Sequence, residues 1–252
     1  MKFREFGTAC PETIVLLHGG GLSWWNYRAA SEALQSDFHV ILPVLDGHAG
    51  SDRPFTTIED NAEEIISFID EQCGGHVLLI GGLSLGAQVA LEILSRRHDI
   101  CRFALIESAA VLPSKLTNAL IGPALGSTYG LTKNRRFARA QFRSLHMDET
   151  LFEDYFRDTA QIAKSDMIAF LRANTSYALK DSFSGTSAAV HVVAGGKENR
   201  EILKSAGEIK RRLSACRVEI LPGLYHGEFS LNLPDRYARY IRSMTAPQRG
   251  TE

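Results

Sequence analysis

The chain is predicted to fold as an α/β protein, with a mostly parallel sheet flanked by helices and a helical cap inserted into that core. Three observations indicate this class. Short, largely continuous apolar runs recur along the chain, as is typical of strands buried on both faces. Amphipathic stretches of helical length lie between them, which favours βαβ units. One long stretch has no strong strand pattern and has helical apolar spacing instead.

Six apolar runs are the predicted strands, and each ends in a turn that carries glycine or an acidic residue. They cover 13–17, 39–45, 76–80, 103–106, 190–194 and 217–221. The predicted helices of the core cover 27–35, 59–72, 85–97, 200–213 and 235–244. Because active groups gather at the carboxyl ends of parallel strands, we expect the functional side chains in these turns.

The stretch 112–186 interrupts this alternation and predicts four helices. They cover 114–125, 133–146, 149–162 and 165–180. Since the stretch follows one strand end and precedes the next strand, we expect a cap over the strand ends; the alternative is that these helices extend the core. The predicted division is therefore a core of 1–111 and 187–252, with 112–186 as the inserted cap.

Composition limits the classes of function. A chain of 252 residues can bury a sizeable core, and its formal net charge of −1 gives no general attraction to nucleic acid or an anionic membrane. The longest apolar runs are strand-sized, and the amino terminus lacks the apolar core of a signal peptide. We expect a cytoplasmic protein with no membrane span and no nucleic-acid partner; the sequence does not specify its oligomeric state.

The cysteines Cys10, Cys73, Cys101 and Cys216 are widely spaced. No CxxC pair and no Cys/His ligand spacing is present, so the sequence predicts neither a metal site nor a disulfide framework. Free buried thiols are the expected state, and no cofactor is expected.

Residues 82–86 have the sequence Gly-Leu-Ser-Leu-Gly, which matches the G-x-S-x-G pattern. A strand that turns abruptly into a helix strains its central residue and crowds the positions two residues to either side. Gly82 and Gly86 satisfy that requirement. Because a buried strand precedes this turn and a helix follows it, Ser84 is predicted to be a nucleophile rather than an incidental turn serine.

The first buried run ends at His18 and three successive glycines. Acyl transfer needs two donors where negative charge develops on the carbonyl oxygen, and we assign the N–H groups of Gly20 and Leu85 to that role. His18 is expected to bond loop backbone. Gly21 and Trp24 are predicted to contact substrate, with packing of Trp24 against the core as an equal alternative.

Two histidines are candidates for the general base. His226 lies in a glycine-flanked loop between the last strand and the final helix, from which it can reach across the strand ends to Ser84. His48 also follows a strand, although a histidine in such a turn more often ties its own loop together. We predict His226 as the base.

A serine–histidine pair needs a carboxylate to fix the tautomer of the imidazole and stabilise its charged form. Glu198, after strand 190–194, is the predicted acid. Glu107, at the end of strand 103–106, is the alternative, and either residue is a solvated loop charge in the competing interpretation.

Four arginines lie at near-helical spacing within the predicted cap: Arg135, Arg136, Arg139 and Arg143. We expect a solvated helix face here. The alternative is that they face the cleft and favour an anionic substrate.

On these residues the chain resembles the α/β-hydrolase superfamily over nearly its whole length. The resemblance rests on the glycine segment 18–21, the elbow at Ser84 and the chain order of serine, acid and histidine. It also rests on the turn 46–51, Asp-Gly-His-Ala-Gly-Ser, which is similar to the family's D-x-x-G-H-G-x-S segment. Two departures are Glu198, where aspartate is more usual, and Ala49, which displaces a glycine.

The resemblance implies an eight-stranded sheet in full-length members. Little sequence precedes Thr13, so the first two strands are expected to be reduced to one or lost. It also implies that a helical insertion shapes the choice of substrate.

The leading prediction is a serine esterase that cleaves a carboxylic ester or related acyl bond of a small molecule. One alternative on the same fold is a hydrolase or lyase acting on carbon–carbon bonds. Another is a non-catalytic ligand-binding or sensor protein with a vestigial triad. Haloalkane dehalogenase and epoxide hydrolase chemistry is disfavoured, because family members with those activities carry aspartate at the position of Ser84.

Overall fold

A seven-stranded sheet lies at the centre of the computed structural model, which describes residues 1–246 apart from the side chain of Ser127. The last six residues of the predicted core segment 187–252 lie outside the described residues. The strands are β1 Phe3–Phe6, β2 Thr13–Leu17, β3 His39–Pro43, β4 Val77–Leu83, β5 Cys101–Glu107, β6 Ala189–Gly195 and β7 Arg217–Leu221.

The spatial order of the strands is β1-β3-β2-β4-β5-β6-β7. Strands β2 to β7 are parallel, and only β1 runs antiparallel, against β3, within the described residues. This confirms the predicted fold class. In the described residues one strand, β1, precedes β2, where the family resemblance implied two.

The continuous apolar runs arise because both faces of the sheet are covered. In β2, Ile14 and Leu16 pack in the cluster that includes residues of the helices α1 (Arg28–Leu34) and α10 (Pro234–Thr245). Val15 and Leu17 pack in the opposite cluster, which includes residues of the helices α2 (Ile58–Gln72), α3 (Leu85–Arg96) and α8 (Arg200–Arg212). Successive side chains of a strand point to opposite faces, so a strand buried on both sides has no polar alternation.

The core helices are α1 Arg28–Leu34, α2 Ile58–Gln72, α3 Leu85–Arg96, α8 Arg200–Arg212, α9 Glu228–Asn232 and α10 Pro234–Thr245. Side chains cap two of them: Thr57 Oγ1 accepts from the N–H of Asp60, and Asn199 Oδ1 accepts from the N–H groups of Glu201 and Ile202. Such caps satisfy backbone donors that the first turn leaves unpaired.

The insertion between β5 and β6 contains four α-helices in the described residues: α4 Lys115–Thr128, α5 Arg135–Ser144, α6 Phe152–Thr159 and α7 Lys164–Ser176. In α7, Asp166 Oδ1 accepts the N–H of Phe55 at 3.1 Å, and Phe170 stacks on His48. In α6, Asp158 accepts the indole N–H of Trp25 at 2.8 Å. The insertion therefore contacts the loops that follow β2 and β3, at the carboxyl ends of the strands.

All four cysteines are free thiols. Cys101 and Cys216 are buried, and burial raises the pKa of Cys101 to about 12. The prediction of buried thiols is wrong for Cys10 and Cys73, which are half-buried. Cys10 lies in the loop between β1 and β2, and Cys73 follows the last turn of α2, so neither is packed inside the sheet. No helix of the described residues is both long and apolar enough to cross a membrane.

Candidate active site

Ser84 lies between β4 and α3 in a strained backbone conformation, with φ 53° and ψ −110°. Its N–H donates to the carbonyl oxygen of Glu107 at 2.9 Å, which ties the turn to β5. A Cβ at Gly82 would lie 2.4 Å from the carbonyl carbon of Gly86, and one at Gly86 would lie 2.1 Å from the carbonyl oxygen of Leu17. The turn therefore needs glycine at both positions, as its sequence pattern predicts.

The loop after β2 brings Gly20 beside the first residue of α3. A Cβ built on Gly20 would lie 3.6 Å from the Cβ of Leu85. The N–H of Gly19 donates to Asn26 Oδ1 at 3.1 Å, and the N–H of Leu22 donates to the carbonyl of Gly19, which together hold the loop. Among the hydrogen bonds described for residues 1–246, none uses the N–H of Gly20. Leu85 is the first residue of α3, so its N–H has no partner within the helix.

His18 is buried and holds two loops together. Its Nε2 accepts the N–H of Leu45 at 3.0 Å, and its Nδ1 lies 2.9 Å from the carbonyl oxygen of Gly19. Burial, with a further contribution from His48, lowers the pKa of His18 to about 3. The ring is therefore neutral and bonds loop backbone, as expected.

His48, the alternative base, is tied into its own turn. Its Nδ1 lies 2.9 Å from the carbonyl oxygen of Asp46, and its ring stacks on Phe170 with centroids 4.6 Å apart. Burial lowers the pKa of His48 to about 4. Its Nε2 has no hydrogen-bond partner among the described residues. His48 does not line the cavity at Ser84, so its position does not suit the role of base.

His226 follows β7 and forms a hydrogen bond with Glu198. Its Nδ1 lies 2.7 Å from Glu198 Oε2, and the carboxyl side chain is only 1% exposed, whereas that of His226 is 46% exposed. A carboxylate can only accept, so Nδ1 carries the proton and Nε2 is left to accept one. This is the tautomer that a general base requires.

Two further donors bind Glu198. Ser108 Oγ and the N–H of Gly195 donate to its Oε1 at 2.6 and 2.7 Å. Burial alone raises the pKa of Glu198, but the hydrogen bonds from His226, Ser108 and Gly195 outweigh burial and hold the pKa below its ordinary value. The carboxyl group is therefore ionised at neutral pH.

Glu107, the alternative acid, does not contact His226. Its Oε1 accepts the N–H of Ser230 at 3.2 Å, and its Oε2 has no partner among the described residues. Burial raises the pKa of Glu107 to about 8, so the group is protonated at neutral pH. A protonated carboxyl cannot stabilise an imidazolium, and the geometry does not support Glu107 as the acid.

Ser84 and His226 line one small cavity of about 80 Å³. Its other lining residues are Gly19, Gly20, Leu22, Leu83, Leu145, Met147 and Leu231. Within the described residues, no hydrogen bond joins the Ser84 hydroxyl to His226. The two side chains line the same cavity without contacting each other through a hydrogen bond. Apo sites often tighten such contacts only when substrate is bound.

The two residues predicted to contact substrate lie outside this cavity. Trp24 lines a separate surface groove, with the guanidinium groups of Arg4 and Arg28 at 5.5 and 5.6 Å from its ring centroid. Within the short turn 24–27, Trp25 is buried, whereas Trp24 is half-buried and packs against the core, which agrees with the alternative given for it. Gly21 has φ 79°, and its carbonyl accepts from Thr159 Oγ1 at 3.4 Å, so its backbone faces α6.

The structure also adds residues that sequence reasoning missed. Ser108 directly follows Glu107 at a strand end, and this position in the sequence is only a weak indication that its hydroxyl contacts the site. Leu145 and Met147 reach the cavity from the loop after α5. Asn232 contacts that loop across more than 80 residues of sequence, and no local pattern reports such a contact.

Two of the four arginines in the predicted cluster on α5 form ion pairs. Arg135 pairs with Glu153 and Arg139 pairs with Glu149, and both guanidinium groups lie over the ring of Phe152. Arg136 and Arg143 are exposed, and none of the four lines the cavity. The interpretation as a solvated helix face agrees with these positions.

A model of the alpha/beta hydrolase family matches residues 14–241. The chain belongs to the alpha/beta hydrolase family. The family predicted from the sequence is thus confirmed.

Two curated relatives match shorter segments of this family member. A segment of 107 residues is 29% identical to the pimeloyl-[acyl-carrier protein] methyl ester esterase of Aromatoleum aromaticum, covering 42% of this chain and 41% of that protein. A segment of 105 residues is 30% identical to a soluble epoxide hydrolase of Corynebacterium sp., covering 40% and 35%. The matches thus span about two fifths or less of these relatives.

Solved structures match nearly the whole chain and show its fold. An enol-lactonase from Burkholderia xenovorans has a TM-score of 0.82 at 16% identity, with 96% of this chain and 95% of that chain covered. A thermophilic esterase from Thermogutta terrifontis has a TM-score of 0.79 at 18% identity, with 96% and 91% covered.

Proposed function

We propose that the protein is a serine hydrolase that cleaves a carboxylic ester, or a related acyl bond, of a small molecule. One observation carries the proposal: the imidazole of His226, hydrogen-bonded to the buried and ionised Glu198, lines the same cavity as the strained Ser84. This observation supports the roles of Ser84 as nucleophile, His226 as base and Glu198 as orienting acid, which are the three roles that acyl transfer requires.

The first half of the proposed reaction forms an acyl-enzyme. Ser84 Oγ attacks the ester carbonyl while its proton passes to Nε2 of His226, and Glu198 stabilises the imidazolium. The N–H groups of Gly20 and Leu85 bind the oxyanion of the tetrahedral intermediate. When the intermediate collapses, the bond to the alcohol oxygen breaks and His226 gives its proton to the departing alcohol.

The second half releases the acid. A water molecule gives a proton to His226 and attacks the acyl carbonyl, and the oxyanion donors act again. Collapse breaks the bond to Ser84 Oγ, which recovers its proton from His226.

We assign the helical insertion 112–186 as a cap, because its loop after α5 supplies part of the cavity wall.

The names of similar proteins agree with this choice among the activities of the family. Methyl ester esterase, esterase and enol-lactonase all denote cleavage of an ester or lactone. The epoxide hydrolase match points to another reaction, but a serine at position 84 favours acyl transfer over the aspartate chemistry noted above.

The test is hydrolysis of p-nitrophenyl acetate by the wild type and by Ser84→Ala, with labelling by a fluorophosphonate probe. We expect the variant to lose roughly 10⁴-fold or more in kcat and all labelling. Ser184→Ala, which removes an exposed serine of the insertion, is the matched control and should behave as the wild type.

Other outcomes favour the competing functions. Undiminished turnover by Ser84→Ala would overturn the assignment of the nucleophile. Carbon–carbon bond cleavage would be favoured if the probe labels Ser84 but no ester is turned over and no acyl-enzyme can be trapped. Tight ligand binding with no labelling would favour a sensor.

A further inference from the structure

The cavity beside Ser84 is small and apolar. Apart from Ser84 and His226, it is lined by glycines and by the side chains of Leu22, Leu83, Leu145, Met147 and Leu231. Its volume of about 80 Å³ is far below the roughly 300–1,000 Å³ of most ligand pockets. Since a water-sized group needs about 10–15 Å³ of such space, the cavity holds on the order of five to eight of them.

One wall of the cavity comes from the loop after α5, and this loop is fastened to α9. Asn232 Nδ2 donates to the carbonyl of His146 at 2.7 Å, while Asn232 Oδ1 accepts the N–H of Asp148 at 2.9 Å. The ring of His146 stacks on that of Tyr225, with centroids 3.7 Å apart and planes 8° from parallel. Tyr225 immediately precedes His226, so the wall is attached to the loop that carries the proposed base.

His146 and its two neighbours in sequence face different parts of the structure. His146 has φ 56°, a left-handed backbone conformation that is uncommon in residues other than glycine. Its ring faces Tyr225, while the residues on both sides of it, Leu145 and Met147, line the cavity. Met147 is buried and Leu145 is exposed in part, so Met147 is the inner of the two.

The polarity of the site indicates which half of an ester enters this cavity. His226 must give its proton to the departing alcohol, and its side chain is 46% exposed, so the alcohol lies on the solvent side. The acyl chain then takes the apolar part of the cavity, which is lined by leucine and methionine side chains. Apart from His226, no titratable side chain among the described residues lines the cavity, so an acyl carboxylate would lose its hydration without a partner.

We propose that this cavity is an acyl pocket for short, uncharged acyl groups and that Met147 sets the limit on their length. The inference rests on the proposed function, because it names the substrate class of the same site. Acetyl to butanoyl groups match the available volume, whereas an octanoyl group exceeds it.

The test compares kcat/KM for p-nitrophenyl acetate, butanoate, octanoate and hemisuccinate, which share one leaving group. We expect the wild type to favour butanoate over octanoate, and over the charged hemisuccinate, by at least about tenfold. Met147→Ala should raise the ratio of octanoate to acetate by at least about tenfold, and Met147→Phe should lower the ratio of butanoate to acetate.

Met167→Ala is the matched control. Met167 is a buried methionine of the same insertion, at 7% exposure against 9% for Met147, and it does not line the cavity. Its ratios should stay within about twofold of the wild type. Melting curves of all variants separate a changed preference from loss of fold.

The outcomes distinguish the two proposals. Hydrolysis of no ester by the wild type overturns both. Hydrolysis that depends on Ser84, but with octanoate or hemisuccinate as good as butanoate, overturns the acyl pocket alone, and the wild-type series decides this without any variant. Unchanged chain-length ratios in folded Met147→Ala and Met147→Phe overturn the role of Met147.

Discussion

Two carboxylates stand at the ends of neighbouring parallel strands, and their surroundings give them opposite charge states. Glu107 ends β5 and lies in register with Val193 of β6, and Glu198 follows β6 in the next turn. Both side chains are almost entirely buried. Glu198 nevertheless has its pKa held below the ordinary value, whereas the pKa of Glu107 is raised to about 8.

The difference lies in the donors that each carboxyl group meets. Glu198 accepts from His226, Ser108 and the N–H of Gly195, all within 2.7 Å. Glu107 accepts one N–H, from Ser230, at 3.2 Å. Burial penalises the charged form of both, and only a set of short donors compensates for it. Position at a strand end therefore does not by itself keep a carboxylate ionised, as the proposed acid of the triad must be.

The largest expected effect is that of Glu198→Gln. The amide cannot hold the imidazole in the required tautomer or stabilise its charge, so kcat should fall by roughly 10⁴-fold. Steady-state hydrolysis of p-nitrophenyl acetate measures this. Glu201→Gln, which changes an exposed glutamate of α8, should leave kcat unchanged. A Glu198→Gln enzyme within tenfold of the wild type would mean that another group serves as the acid.

A smaller effect is expected from Ser108→Ala, which removes one of the three donors to Glu198. The carboxylate keeps its bonds to His226 and Gly195, so kcat should fall by roughly tenfold, as expected for one hydrogen bond to a charged group. The same assay measures it. A loss as large as that of Glu198→Gln would show that Ser108 acts on the reaction other than through Glu198.

The smallest effect on activity is expected from Glu107→Gln. The amide resembles a protonated carboxyl in size and still accepts from the N–H of Ser230, so kcat at pH 7 should stay within about threefold of the wild type. A drop comparable to that of Glu198→Gln would return Glu107 to the role of acid.

The same variant has a distinct signature in stability. The folded-state pKa of Glu107, about 8, lies above the ordinary value of 4.5, so between these pH values the folded state binds a proton that the unfolded state has released. This carboxyl therefore lowers the free energy of unfolding by about 1.4 kcal/mol for each pH unit of increase in that window. Glu107→Gln lacks this loss, and its stability relative to wild type should rise between pH 5 and pH 8. Urea unfolding measures this, and parallel pH profiles would contradict the buried, protonated state.

The parts of the site that follow local rules were predictable from the sequence. The glycines around Ser84 are required by clashes within one turn, and the strand ends are marked by apolar runs that stop at polar residues. His226 and Glu198 both lie at such ends. Preference for Glu198 over Glu107 was predicted, but its physical cause was not, because Ser108 is 90 residues from Glu198.

Side-chain directions and distant contacts were not predictable. The direction of Trp24 depends on which of two adjacent tryptophans the turn 24–27 buries. Arg135 and Arg139 of α5 form ion pairs with Glu153 and Glu149, which lie in the helical segments that follow. The spacing of the arginines along α5 does not indicate these partners. The cavity wall at Met147 depends on a contact with Asn232, which only the folded chain brings together.

The attachment of the 145–148 loop to Asn232 has a consequence for recombination between members of this family. The insertion looks like a separable module, because both of its ends join the core between β5 and β6. Its loop, however, shares two hydrogen bonds and a ring stack with residues 225–232 of the core. A chimera that exchanges only 112–186 would divide this unit, so a working exchange must carry the segment 225–232 with it.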